Sequence, residues 1–251
     1  MMEVVRLCRA ELRKLHHTLI PVLHILLPLL GITIFLGYYS CTAGEDVGKI
    51  SGYIQVLTII LPLIVSAVCA LSVEQEEKGH FQTMLGVAVC KLHSLLAKWL
   101  VLSGIGLGAI NLAVAGFALG YRMFEKTMIF AWKGYLLLAL ILWICSWNLY
   151  LLHLFLNLIF SKSLSVCVGT AETLIASLFL TGLGEGIWRY FPCSWGGRWS
   201  GYLLLYLEGK ISDVAIASMP AHAGICVGIT VVAWGLIFLW FYYYEGRQCN
   251  D

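Results

Sequence analysis

The second long apolar run of the chain ends in the sequence VEQEEKGHFQTML, residues 73–85. It places three carboxylates, Glu74, Glu76 and Glu77, within four positions. A charged side chain at the centre of a bilayer costs about 2.5–3.5 kcal/mol on insertion scales. We therefore expect the acidic cluster to lie in water directly beside a membrane.

The residues after the acidic cluster have an apolar face, made by Phe81, Met84, Leu85 and Val89. This pattern predicts a short amphipathic helix, over about residues 74–92, that lies parallel to the bilayer between two spanning helices. Such a helix is suited to contact a water-soluble partner. A solvated loop is the alternative, although a simple linker would not need the apolar face.

Composition places the chain among integral membrane proteins. Of its 251 residues, 60% are hydrophobic and only 12% are charged, and the mean hydropathy is +0.87. Soluble domains average about 25% charged residues. Near-continuous apolar runs of about 20 residues predict spanning helices rather than a β-barrel, so we expect an all-α polytopic protein with one membrane domain over residues 18–251. Six runs qualify as spans: residues 18–39, 51–73, 96–119, 134–160, 164–184 and 219–244.

Residues 1–17 are predicted to form an amphipathic helix at the membrane interface. When residues 3–16 are wound as a helix, one face is largely apolar and four cations turn outward, toward anionic headgroups. We do not expect the segment to be a cleavable signal peptide, because the apolar run after it is too long and no small-residue cleavage site follows. The inward face comprises Val4, Leu7, Cys8, Glu11, Leu12 and Leu15, and the outward cations are Arg6, Arg9, Arg13 and Lys14.

The distribution of basic residues predicts the orientation. With the N-terminus inside, nine of the sixteen Lys and Arg residues face the cytoplasm, and four of them precede the first span, where they have the most influence. We expect both termini and the acidic cluster to be cytoplasmic, and residues 185–215 to lie outside. The formal net charge of +2 gives no reason to expect a nucleic-acid partner.

An aromatic segment precedes the last span, over about residues 184–215. It is too rich in Gly and Pro for a regular span, so we expect short or re-entrant helices in the outer interface, where Trp and Tyr are enriched. A structural aromatic belt is one interpretation, and a lid that meets an amphipathic substrate is the other. The residues concerned are Trp188, Tyr190, Phe191, Trp195 and Trp199.

Few polar residues lie inside the predicted spans. Tyr150, His153 and Asn157 fall at i, i+3 and i+7 of the fourth span and share a face, where hydrogen bonds between helices are the expected role. His24 in the first span and Asn111 in the third belong to the same intramembrane polar set.

Glu172 in the fifth span carries the largest desolvation penalty of this polar set and has no obvious cationic partner in the sequence. We expect it to be protonated, paired with a polar group of another subunit, or hydrated near Lys162 or Ser165. A role in transport is the alternative.

The motifs predict no catalytic or cofactor site in this chain. Gly48-Lys49 and Gly209-Lys210 are each followed by Ile and lack the upstream glycine of a phosphate loop, so an ATPase would be a separate polypeptide. The nine cysteines fit no metal-ligand spacing. Cys41 and Cys193 would both lie outside the cytoplasm, where a disulfide between them is possible.

The whole arrangement resembles the permease of a type-2 ABC exporter: an amphipathic N-terminal helix, six spans, an E-x-E-x-x-G-x-F turn after the second span, and a broken outer segment before the last. More narrowly, it resembles the G-type permease subunit of lantibiotic-immunity ABC transporters. The matching strings are HILLP (24–28), YYS (38–40), VEQE (73–76), GHFQTML (79–85), GIW (186–188) and FPCSWG (191–196).

The resemblance implies a heteromeric complex in a bacterial plasma membrane. Two related permeases, of the E and G types, would sit on two copies of a cytoplasmic ATPase, which would hold ATP and magnesium. The complex would expel lantibiotic peptides from the membrane of the producing cell and so give self-immunity. The coupling helix docking in the ATPase would comprise Glu74, Glu76, Glu77, Gly79, Phe81, Met84 and Leu85, with Glu76 and Glu77 meeting basic residues.

Two alternatives remain open at this point. The same machine could export another peptide, a lipid or a drug. An intramembrane protease would need zinc and His153, but Glu76-Glu77 lies outside the predicted spans and Phe81 stands where that family has arginine.

Overall fold

A computed structural model describes residues 2–16, 18–42, 44–86, 88, 90–125 and 129–246. Nine α-helices and two short 3-10 turns form within these residues, and no β-strand does. Six of the helices are long and apolar enough to cross a membrane. The predicted fold class, an all-α chain with six spans, is confirmed.

Most of the spanning helices are longer than the apolar runs that predicted them, because helical hydrogen bonding continues into the polar flanks. The spanning helices are α2 (Ile20–Ser40), α3 (Asp46–Lys78), α5 (Lys91–Glu125), α6 (Trp132–Ile159), α7 (Lys162–Phe179) and α9 (Asp213–Tyr243). The shorter helices are α1 (Met2–Leu15), α4 (Gln82–Gly86) and α8 (Pro192–Leu207), and the 3-10 turns are Gly182–Gly184 and Trp188–Tyr190.

Hydrogen bonds between distant segments show which helix ends lie together. At one end, Lys91 Nζ donates to the Tyr244 carbonyl oxygen at 3.0 Å, and the Tyr244 hydroxyl donates to the Leu158 carbonyl oxygen at 2.9 Å. Because α1 packs here, on α5, we call this the α1 end. At the opposite end, the Tyr121 hydroxyl donates to Asp46 Oδ1 at 2.7 Å. The chain therefore passes from one end of the bundle to the other six times.

Helix α3 is central and packs along α6, α7 and α8. Its Val65 and Cys69 are fully enclosed and share an apolar core with Leu154 of α6. Farther from the α1 end, Tyr53 of α3 stacks on Phe117 of α5 with ring centroids 4.0 Å apart. Helices α2 and α9 are peripheral, since only 22% and 17% of their most apolar stretches is buried.

Helix α8 does not cross the bundle. Its 16 residues are fewer than the roughly 20 that a span needs. Gly197 lies against Thr58 in the middle of α3, and Leu207 lies against Gly134 at the start of α6. The helix therefore runs from the middle of the bundle to the end opposite α1, which is the geometry of a re-entrant segment.

Helix α7 approaches α3 closely at a glycine. A Cβ at Gly169 would lie 3.1 Å from the Pro62 carbonyl oxygen and closer still to Ser66 Oγ. Helices in membranes associate largely through such small residues, because lipid is as apolar as a leucine side chain and close packing must supply the attraction.

Replacing Gly169 with leucine should separate α3 from α7 and lower the thermal unfolding temperature of the purified protein. Overpacking of this kind destabilises by about 1–3 kcal/mol. Gly104→Leu is the matched control, because Gly104 is exposed on α5 with open space around it. The control should be neutral or slightly stabilising, since leucine favours helix over glycine. Equal unfolding temperatures for the two variants would contradict the close contact.

Candidate functional site

Residues 74–86, which we call the connector, contain a sharp reversal rather than one continuous helix. His80 and Phe81, between α3 and α4, have φ angles of 49° and 57°, a region that residues other than glycine rarely adopt. The Phe81 N–H closes the turn by donating to the Glu76 carbonyl oxygen at 2.8 Å. The prediction of a single helix over about residues 74–92 is therefore wrong: α3 carries the acidic residues, and α4 has only five residues.

The apolar side chains of the connector pack on the protein itself. Phe81 is 1% exposed and Met84 is 2% exposed, and the Phe81 ring meets Tyr244 edge-on at 6.3 Å. Leu85 is half-buried beside the same core, while Val89 lies outside the described residues. The apolar face thus braces the connector against the bundle. Its water-facing surface is made by Lys78, Gly79, His80, Gln82 and Gly86, with Glu77 partly buried at its edge.

Glu76 is at the centre of a buried network of four charges, which we call the four-charge cluster. Its Oε1 accepts from Lys14 Nζ at 2.7 Å and from Lys98 Nζ at 2.9 Å. Glu11 pairs with the same two lysines, at 2.6 and 2.7 Å. Two cations and two anions compensate one another, as burial requires. The cluster joins α1, α3 and α5.

Two sequence predictions are corrected by this cluster. Glu76 is 2% exposed and does not lie in water. Lys14 turns inward, whereas the helical pattern had placed it with the outward arginines. The sequence did carry two signals: Glu11 lies on the apolar face of α1, and Lys98 opens an apolar run. Both lysines turn inward because a buried carboxylate needs a cation beside it.

The contacts of the four-charge cluster also shift the pKa of Lys14. Burial lowers it, but the hydrogen bonds to Glu11 and Glu76 outweigh this effect and hold it above its ordinary value. A lysine whose pKa is raised by folding contributes its full stabilisation below its unfolded pKa and loses it only as the pH rises through the folded value. Lys14 therefore keeps its charge throughout the neutral range.

Glu76→Gln should destabilise the protein, because it removes the negative charge on which two lysines converge. Breaking a buried ion pair costs about 3–5 kcal/mol, and we expect the lower end since Glu11 still pairs with Lys98. Glu74→Gln is the control, because its side chain is 31% exposed and its two lysine partners are 3.4 Å away. That change should cost less than about 1 kcal/mol. Thermal unfolding in detergent distinguishes them, and equal losses would argue against the cluster.

A second polar cluster joins α6 to α7. His153 Nε2 lies 2.9 Å from Glu172 Oε2, and its Nδ1 lies 3.0 Å from Ser165 Oγ. Asn157 Nδ2 donates to Ser165 Oγ at 2.8 Å. Glu172 therefore has a partner within the chain, which the sequence reading missed. The sequence offered one signal for such a pairing: a turn of only two residues, Phe160 and Ser161, joins the two helices, so residues on either side of it lie close together.

The order Ser165–His153–Glu172 resembles the chain of hydrogen bonds in serine hydrolases, but its setting differs. Ser165 and His153 are both 0% exposed, so neither water nor substrate reaches the hydroxyl. A nucleophile needs access to a reacting carbonyl and an oxyanion site beside it. The arrangement is suited to hydrogen bonding between helices, as expected for His153 and Asn157.

The other intramembrane polar residues lie elsewhere. The Tyr150 side chain packs toward Gly106 of α5, away from the His153 cluster. His24 Nδ1 contacts the Ile20 carbonyl oxygen at 2.7 Å, and Asn111 Nδ2 donates to the Leu107 carbonyl oxygen at 2.9 Å. These two therefore bond within their own helices. The six residues of the predicted set do not form one site.

The aromatic residues of the segment before α9 separate into two groups. Trp188 and Trp195 are 1% and 4% exposed, and Trp188 meets Trp199 edge-on at 5.9 Å. Tyr190 and Phe191 are 52% and 39% exposed. The mixed Gly, Pro and aromatic pattern thus folds into a core, and Trp188 and Trp195 are not presented on the surface of this structure.

Between α6, α8 and α9 lies an open-sided cavity of about 500 Å³, with Val227 and Val231 exposed at its edge. Trp195 and Trp199 line it together with Asn148 and Thr230, and the rest of the wall is mostly aliphatic. Asn148 Nδ2 donates to Thr230 Oγ1 at 2.8 Å, so the polar groups of the wall bond across the helices. We call this space the α9 cavity.

Arg198 organises the loop before α8, which the sequence analysis did not foresee. Its Nε donates to the Phe179 carbonyl oxygen at 2.7 Å, and Nη2 donates to the Thr181 carbonyl oxygen at 2.9 Å. Nη1 pairs with Glu185 at 2.7 Å. The planar guanidinium can satisfy several acceptors at once, which suits it to hold an irregular loop.

The cysteines make no disulfide within the described residues, where Cys41 is exposed and Cys193 is buried, both as free thiols. The disulfide that the sequence left possible is thus not present. Over the same residues, no group of three or more His, Cys, Asp or Glu side chains is placed to hold a metal ion.

No protein-family model, curated protein or solved structure matches this chain. The fold and the sites described above define a polytopic α-helical chain with six helices able to cross a membrane. Its function must be inferred from its own residues.

Proposed function

We propose that the chain is the permease subunit of an ABC exporter, powered by a separate ATPase subunit that binds ATP and magnesium. The observation that carries the proposal is the connector, a water-facing turn that is braced from within by Phe81, Met84 and Glu76. An element that docks a soluble partner must keep its conformation when the partner binds and moves. The resemblance in sequence around residues 73–85 supports the same assignment.

The contacts of the connector suggest how a push from an ATPase would spread. Lys78, His80 and Gln82 face water and would meet the partner. The four-charge cluster holds the adjoining ends of α1, α3 and α5 together, so these helices would tilt as one body. Because α3 also packs along α6, α7 and α8, its tilt would reach most of the bundle.

The substrate that we propose is a lantibiotic peptide, on the strength of the resemblance. An amphipathic peptide at a membrane surface would first meet the exposed Tyr190 and Phe191. The α9 cavity, whose Trp195 donates to the Arg189 carbonyl oxygen next to Tyr190, combines aromatic, aliphatic and a few polar groups, a lining that suits amphipathic molecules. In this proposal a second, related permease completes the transporter, in a bacterial plasma membrane with both termini cytoplasmic.

Export of a different apolar substrate is the second candidate. A cavity of about 360 Å³ lies between α2, α3 and α5, and it is lined almost wholly by carbon, with the side chains of His24, Tyr53 and Tyr150 at its walls. Such a lining would accept a lipid tail or an apolar drug as readily as a peptide side chain.

Deleting the chain from its host bacterium should raise sensitivity to a lantibiotic, and restoring it should reverse the effect. Sensitivity to an antibiotic that acts inside the cytoplasm should not change. The chain, purified in mild detergent from the same cells, should bring an ABC ATPase with it. Failure to recover any ATPase would overturn the proposal. Recovery of the ATPase with unchanged lantibiotic sensitivity would favour the second candidate.

Glu77→Lys should abolish resistance while the protein remains folded, because it reverses the charge at the border of the exposed turn where the ATPase would dock. Glu45→Lys is the matched control: it makes the same change of charge on an exposed residue at the opposite end. Thermal unfolding establishes that both variants fold. Full resistance with folded Glu77→Lys, or equal loss in the control, would place the docking surface elsewhere.

A further inference from the structure

Helix α1 has three faces rather than two. One face packs on the bundle, where Leu7 and Leu15 are buried. Beside it runs an exposed apolar stripe, made by Val5 and Leu12, which lie two turns apart and are each 49% exposed. The remaining face is basic and exposed, and it carries Arg6, Arg9 and Arg13.

The three arginines have no compensating charge in the part of the chain that the structure describes. Arg6, Arg9 and Arg13 make no hydrogen bond or ion pair there, whereas Lys14 on the same helix is tied into the four-charge cluster. The four cations of α1 therefore have two roles: Lys14 holds the helix to the bundle, and the three arginines face outward.

We propose that the basic face of α1 binds the headgroups of anionic phospholipids. The neighbouring stripe of Val5 and Leu12 favours lipid over a soluble acidic partner, because it would be exposed to water unless acyl chains cover it. An interfacial helix needs both elements side by side: apolar side chains that reach the acyl region and cations at the level of the phosphates. The position of α1, against the end of a spanning bundle, puts it at that depth.

Lipid held on this face would also steady the connector. Lys14 links α1 to Glu76 of α3, and Glu3 links it to His93 of α5, with His93 Nδ1 2.8 Å from the carboxylate. Headgroups that fix α1 would therefore fix both helix ends that flank the connector. The inference depends only on α1 lying at a membrane surface, and it stands apart from the proposed transport function.

The test compares thermal unfolding in nanodiscs of phosphatidylcholine with and without phosphatidylglycerol. Because lipid bound only by the folded state stabilises it, wild type should unfold at a higher temperature with phosphatidylglycerol. R6Q/R9Q/R13Q should lose most of this increase. Native mass spectrometry of the retained lipid measures the preference for phosphatidylglycerol over phosphatidylcholine. Each arginine removed should lower this preference about fivefold. About 1 M salt should abolish the preference, whereas glycerol phosphate in solution should not reproduce the stabilisation.

Two further variants serve as controls for charge and for position. R6K/R9K/R13K retains the charge and should keep most of the stabilisation. R122Q/K133Q/K210Q removes three cations from the opposite end and should leave the phosphatidylglycerol effect unchanged. Equal unfolding temperatures of wild type in the two lipids, or equal losses in the two glutamine triples, would overturn the proposal. Stabilisation by soluble glycerol phosphate alone would show a phosphate site rather than a lipid site.

Discussion

The buried pairing of Glu76 with Lys98 is the interaction on which the α1 end of the molecule depends. Both residues are 2% exposed, and each needs an opposite charge beside it to remain there charged. Lys98 holds α5 against α3, and Glu11 and Lys14 bring α1 over both. The direction in which the connector leaves α3 follows from this arrangement, because Glu76 also anchors the turn through its carbonyl oxygen.

The same requirement explains the polar residues deeper in the bundle. Hydrocarbon offers no hydrogen bonds, so each polar side chain must find a partner in the protein. His153, Ser165 and Asn157 satisfy one another across α6 and α7, whereas His24 and Asn111 bond to the carbonyl one turn earlier in their own helices. Hydrogen bonds between helices hold the two helices together, whereas hydrogen bonds within a helix leave that helix free to move.

Hydropathy was enough to predict six spans, because the penalty for placing charge in lipid acts on each segment separately. The pairings could not be predicted in this way, since they join residues such as Lys14 and Glu76 that are far apart in sequence. Aromatic residues were ambiguous for a related reason: Trp188 suits a membrane interface and a protein core equally well, and only the surroundings decide. The reversal at His80 and Phe81 had only a weak signal: histidine is enriched at positive φ among residues other than glycine, but phenylalanine is not.

Rigidity at the α1 end limits where the bundle can change shape. Because compensated buried charges hold α1, α3 and α5 together, a displacement of the connector would move the three helices as a unit and would not change the packing between them. Helices α2 and α9 are both largely unburied, and a cavity lies beside each: about 360 Å³ between α2, α3 and α5, and about 500 Å³ between α6, α8 and α9. Close-packed interiors transmit strain, whereas cavities allow neighbouring helices to shift. Motion that begins at the connector would therefore open or close these two spaces before it separated the helices of the core.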